Sequence, residues 1–126
     1  MDYILLISDT DDIYSYLKKR KINLLKYSIK KINTSQIKEI KGEEYQAIIL
    51  DLDQNKLKRS EFKLIFDIKV RVNAPILSVM RGGTTRDRLN AITFGTEDYL
   101  DWPERRKEIF YKIDSLCRQK RVLKCI

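Results

Sequence analysis

The 126-residue chain predicts an α/β fold, doubly wound around a five-stranded parallel sheet. Three observations lead there. Short runs that are mostly apolar at successive positions recur along the chain, as in strands buried on both faces by covering helices. Segments of helical period separate these runs. Two runs close on carboxylates, Asp9 just after the first and Asp51 at the end of the third. In open α/β sheets ligands bind outside the carboxyl ends of the strands.

The elements follow in order. "YILLIS" (3–8) reads as the first strand. "DDIYSYLKKRK" follows as a helix with Asp11 or Asp12 as its N-cap and Ile13, Tyr16 and Leu17 on one face. "LLKYSIKKI" (24–32) is a weaker, partly alternating strand, and "TSQIKEIKGEEY" a short helix capped by Thr34 or Ser35. "QAIILDLD" (46–53) is a buried strand. "KRSEFKLIFDIKVR" places Phe62, Ile65, Phe66 and Lys69 at helical spacing. "APILSVM" (74–80) is the next strand, and "TTRDRLNAITF" a helix stopped by Gly95. "TEDYLD" is a short fifth strand. "PERRKEIFYKIDSLCRQKR" is a long terminal helix with Pro103 in its first turn and Ile109, Ile113 and Leu116 on one face.

Composition narrows the function. One domain of this length buries a sizeable core without disulfides or metal. Cys117 and Cys125 match no zinc or redox spacing and read as free thiols of a reducing cytosol. The chain has no histidine, which removes imidazole bases and His-based zinc sites. No apolar run reaches the ~18 residues of a membrane span. The net charge of +8 is spread over scattered Lys/Arg groups without an aromatic stacking platform, so it reads as helix decoration more readily than as a nucleic-acid face.

At "ILLISDTDDI", "YQAIILDLD" and "APILSVMRGGTTRDRLNAITFGTEDYLDWP" the chain resembles a response-regulator receiver domain, in order and nearly end to end. The resemblance implies the CheY-like (flavodoxin-like) (βα)5 fold with strand order 2-1-3-4-5, a receiver-like domain over 1–121, and 122–126 as the start of a linker or tail. It places a phosphoacceptor at Asp51. It also implies Mg²⁺ held by Asp9, Asp51 and the backbone carbonyl of Asp53, and a histidine kinase as partner.

Several positions depart from the family pattern. Ser8 stands in place of the first acidic residue, Met80 in place of the hydroxyl that ends the fourth strand, and Trp102 in place of the lysine after the fifth. Each lost charge-assisted hydrogen bond costs roughly 1.5–3 kcal/mol, so ordinary phosphoryl transfer is impaired. Asp51 reads either as a strand-end relic or as a working phosphoacceptor. Trp102 reads either as added core or as an indole covering the acidic pocket. "RGGTT" (81–85) is the one Gly-Gly loop suggesting a phosphate cradle, a weak signal for a cofactor binder.

"TEDYL" resembles receivers of the OmpR/PhoB type. That implies a homodimer through the fourth helix, fifth strand and fifth helix, pairing Arg88 with Glu108 and Asp98 with Lys112 across a two-fold axis. Glu97 opposite Asp114 would repel, and the same four interface charges also read as ordinary solvated surface. Tyr99 matches the family's switch aromatic. The function expected is an atypical, cytoplasmic receiver of a two-component-type transcription regulator. It would control DNA binding through an effector domain outside this chain, with weak or absent phosphorylation and no enzymatic or membrane role. The alternatives are a phosphorylation-competent receiver using Asp51 and a stand-alone docking pseudo-receiver. The tail "VLKCI" reads as the first residues of a linker.

Overall fold

The computed structural model describes residues 3–20, 27–40, 45–52 and 59–124. Five strands, β1 (Tyr3–Ile7), β2 (Ser28–Ile32), β3 (Tyr45–Leu52), β4 (Ile76–Met80) and β5 (Asp98–Asp101), form one sheet in the order β2-β1-β3-β4-β5. Every neighbouring pair is parallel. The helices are α1 (Asp12–Lys19), α2 (Arg59–Arg71), α3 (Thr85–Phe94) and α4 (Ile109–Lys124), with a 3-10 helix at Thr34–Glu39. This is the doubly wound sheet that the apolar runs predict.

The alternation of side chains along each strand splits the core in two. Leu5, Ile7, Ile48, Leu50, Ile76 and Met80 meet Phe62, Ile65 and Ile68 of α2 and Ala91 of α3. Ile4, Leu6, Ile49, Leu77, Val79 and Trp102 meet Ile13 and Leu17 of α1 and Ile109 and Ile113 of α4. β3, central in the sheet, is buried at all eight positions. β2 lies at an edge and is only partly covered, which is why its sequence alternates. Cys117 is buried; Cys125 lies outside the described residues.

Local chemistry corrects three element-level expectations. The segment after β2 is a 3-10 helix with Asn33 at its N-cap, whose backbone N–H donates to Gln36 Oε1 (2.8 Å) and whose carbonyl accepts from the Gln36 N–H (3.0 Å), rather than an α-helix capped by Thr34 or Ser35. Asp11 is the N-cap of α1, one of the two expected there, although its side chain makes no cap bond. On α2, Phe66 is exposed, and Ile68 takes the core position. The terminal helix begins at Ile109, not at Pro103, because the chain stays extended through Trp102, whose N–H donates to the Met80 carbonyl (2.8 Å). It then turns through Arg105 N–H to the Asp101 carbonyl (2.9 Å) and a 3-10 turn at Arg106–Glu108. The Trp102–Pro103 peptide is cis. α4 runs through Lys124. None of the described helices is long and apolar enough to cross a membrane.

Gly95 closes α3 at φ 115°, where its N–H reaches back to the last turn. A side chain there disfavours the left-handed backbone by about 1–2 kcal/mol. Gly95→Ala should lower the urea midpoint by that free energy at an unchanged m-value.

Candidate functional site

Register puts the site together. β1 pairs with β3 up to Ile7 opposite Leu50, and β3 pairs with β4 up to Leu52 opposite Met80. One step on, Ser8 comes beside Asp51, and Arg81 leaves the end of β4 next to both. Asp51 is buried, 7% exposed. Its Oδ2 accepts hydrogen bonds from Ser8 Oγ (2.7 Å) and Arg81 Nη2 (3.1 Å), and Thr10 Oγ1 lies 3.3 Å from it. Its Oδ1 accepts from Arg81 Nε (3.3 Å).

The same guanidinium grips Asp12. Arg81 Nη1 donates to Asp12 Oδ2 (2.6 Å) and Nη2 to Oδ1 (2.7 Å). Thr10 Oγ1 adds a bond to Asp12 Oδ1 (2.7 Å), and the Trp102 indole N–H adds one to Oδ2 (3.1 Å). Arg81 thus spans two carboxylates with its planar fork, a geometry a point-charge ammonium does not offer. The Arg81 hydrogen bond is the main cause holding the Asp12 carboxyl well below the usual carboxylate range, against the opposing effect of burial. Reciprocally, the bond to Asp12 raises the already strong basicity of Arg81.

Trp102 belongs to the core and also reaches the acidic cluster. It is 3% exposed in the core beside α4, and the edge of its ring meets Tyr16 (5.4 Å, 88°). Its N–H supplies one donor to the acidic cluster, where the resemblance puts a lysine.

The other site positions are placed as follows. Asp9 is turned away from this network. Its carboxylate accepts from the Thr34 N–H (2.9 Å) and from the Thr34 hydroxyl (2.8 Å) at the start of the 3-10 helix. Asp53 lies outside the described residues. Met80 is fully buried, and a Cβ on Gly83 would come 3.1 Å from its sulfur. Ser78, on the same strand face, shares its hydroxyl with Thr96 Oγ1 (2.8 Å). In the "RGGTT" loop, Arg81 turns into the acidic cluster and Thr84 caps α3 by accepting from the Asp87 N–H (3.2 Å).

The surface formed by α3, β5 and α4 gathers the expected interface charges, each paired within the chain. Arg88 holds Asp101 (2.8 Å), Lys112 holds Asp98 (3.1 Å) and Glu108 takes Arg105 (3.2 Å). Glu97 pairs with Lys69, and Asp114 with Arg118 (3.1 Å). The Tyr99 ring lies between two cations, Arg88 at 5.5 Å and Lys112 at 5.8 Å from its centroid.

Mg²⁺ takes six oxygens and keeps several of them as water. Here the oxygens of Asp51 and Asp12 already accept from hydroxyls, an indole and a guanidinium. Among the described residues no group of three or more His, Cys, Asp or Glu stands together as a metal site. As arranged, the cluster fits an internal cation rather than a divalent one.

Sequence reasoning missed Arg81, Asp12 and Thr10. The usable signal was a cation directly after the β4 run, on the strand neighbouring the one that ends in Asp51.

No family model matches the chain. Protein PetR of Rhodobacter capsulatus is 29% identical over 80 residues, 64% of this chain and 33% of PetR; the chain therefore spans about a third of that relative's length. Among solved structures, a two-component response regulator from Clostridium difficile is similar with TM-score 0.73 and 22% identity, over 95% of this chain and 98% of that one. The receiver domain of a sensor histidine kinase from Pseudomonas aeruginosa, described with a magnesium ion coordinated in its active-site cleft, gives TM-score 0.71 and 21% identity over 92% and 97%.

Because its folded pKa is depressed, Asp12 adds stability that is present above its unfolded pKa and lost as pH falls toward the folded value. In thermal melts, Asp12→Asn should be the less stable protein at neutral pH. Its deficit should shrink as pH drops below about 4. The described sheet, its strand order and these likenesses give the chain the CheY-like receiver fold.

Proposed function

We propose that the chain is an atypical receiver domain of a two-component-type response regulator, cytoplasmic, working by contact rather than by catalysis. In this reading it controls a DNA-binding output carried on an effector domain outside these 126 residues. It does so by pairing two copies across the α3, β5 and α4 surface, and phosphorylation of Asp51 by a histidine kinase is weak or absent.

One observation carries the silent pocket: both oxygens of Asp51 accept hydrogen bonds from Arg81. A carboxylate attacks phosphorus through a free lone pair. An arginine bound to both oxygens withdraws that electron density. The position of the family hydroxyl offers none, since Met80 is apolar and Ser78 is engaged with Thr96. The pairing surface is supported by its mixed charges and by exposed apolar side chains, Leu89 and Ile92 on α3 and Tyr111 on α4.

Incubation with acetyl phosphate and Mg²⁺, read by intact mass, should leave the protein without an adduct. A single phosphoryl group that disappears in Asp51→Asn would instead make this a phosphorylation-competent receiver, in which Arg81 must release Asp51. Sedimentation over a concentration series should show a monomer–dimer equilibrium. Lys112→Asp should weaken it about tenfold or more, because the Lys112–Asp98 pair, closed within each chain here, would be exchanged twice across the two-fold axis on pairing. Adding Asp98→Lys should restore it. A monomer at all concentrations would favour a stand-alone docking module.

A further inference from the structure

We propose that Arg81 is the resident cation of this pocket. Its guanidinium does for Asp51 and Asp12 what a bound divalent ion would do, so the strand-end loops keep one arrangement whether or not metal is present. This rests on reading the cluster of residues 8–12, 51 and 81 as the receiver pocket.

The cluster joins three loops. Asp51 lies one residue before the end of β3, Asp12 opens α1 after β1, and Arg81 follows β4. Two carboxylates converging at a sheet edge repel unless a cation lies between them. A receiver pocket ordinarily takes that cation from solution. Here it is covalently part of the chain, at 2.6 and 2.7 Å from the two oxygens of Asp12 and at 3.1 and 3.3 Å from those of Asp51. Its side chain is 28% exposed and that of Asp51 is 5% exposed, so water screens the Asp51 pair poorly. Nothing has to be captured from solution, and the effective concentration of the cation is set by tethering.

The tether also explains two other residues. Ser8, where the resemblance expects a carboxylate, brings a neutral hydroxyl donor to Asp51. With one monovalent cation facing two carboxylates, a third acidic group there would leave more charge unbalanced. Trp102 completes the set by donating to Asp12 without adding charge. The acid lost at position 8, the lysine lost at 102 and the arginine at 81 are parts of one charge balance.

The test compares wild type with Arg81→Gln and Arg81→Lys, in EDTA and in millimolar Mg²⁺. The readouts are thermal melting and the fluorescence of Trp102, the only tryptophan. Wild-type Tm and emission should be the same in both solutions. Arg81→Gln should melt lower by roughly 5 °C or more in EDTA, and Mg²⁺ should recover part of that loss. Arg81→Lys should be intermediate. Adding Asp12→Asn to Arg81→Gln should remove most of the Mg²⁺ response. If wild type responds to Mg²⁺ as strongly as Arg81→Gln, the guanidinium is not excluding metal and the proposal fails. It also fails if a folded Arg81→Gln protein ignores Mg²⁺, or if Arg81→Lys melts no higher in EDTA than Arg81→Gln, since Arg81 is then only packing. A phosphoryl adduct on wild-type Asp51 would overturn the silent-receiver reading while leaving the Mg²⁺ comparison standing.

Discussion

One guanidinium lies between two carboxylates, and the carboxyl edge of the sheet is organised by that contact. Arginine suits the place because its donors lie in one plane and face two directions at once. Its two bonds to Asp12 and two to Asp51 tie together the segments that leave β1, β3 and β4. The short polar residues nearby serve the same arrangement. Ser8 and Thr10 approach the Asp51 oxygen that Arg81 Nη2 also meets, while Thr10 and Trp102 finish the coordination of Asp12. The result is a polar cluster in which these donors and acceptors answer one another, a condition for such a group to be stable in a half-buried position.

The second constraint lies on the opposite face of the sheet. Met80 fills the end of β4 completely, and the chain passes over it at Gly83, where there is no room for a side chain without displacement. The hydroxyls of Ser78 and Thr96 satisfy one another and the Ile76 carbonyl. They fasten β4 to the turn that enters β5. A hydroxyl used in this way holds strands together and has little left to offer a ligand.

The strands were readable because burial on both faces leaves a plain mark in β1, β3 and β4, and a glycine at the end of α3 leaves another. The start of α4 was not, because it depends on Trp102 staying in register with Met80, a contact between residues far apart in sequence. Phe66 shows the limit of periodicity: two adjacent positions on a helix differ by about 100°, and both fit an apolar stripe until the sheet beneath is known. In the site, Asp51 and the replaced positions 8, 80 and 102 stood out by comparison with a pattern. Arg81 did not, since a cation in a Gly-Gly loop looks like surface. Asp9 was expected beside Asp51, but it meets the first turn of the 3-10 helix, whose N–H and hydroxyl offer it local partners.

Tyr99 has a further consequence. Each cation beside its ring also holds a carboxylate of β5, Arg88 through Asp101 and Lys112 through Asp98. Whatever draws Lys112 away from Asp98 also strips one positive charge from the face of the phenol. By thermodynamic reciprocity, turning the phenol out weakens the hold on Lys112 by the same free energy. The ring contact and the ion pair are therefore linked, each favouring the other.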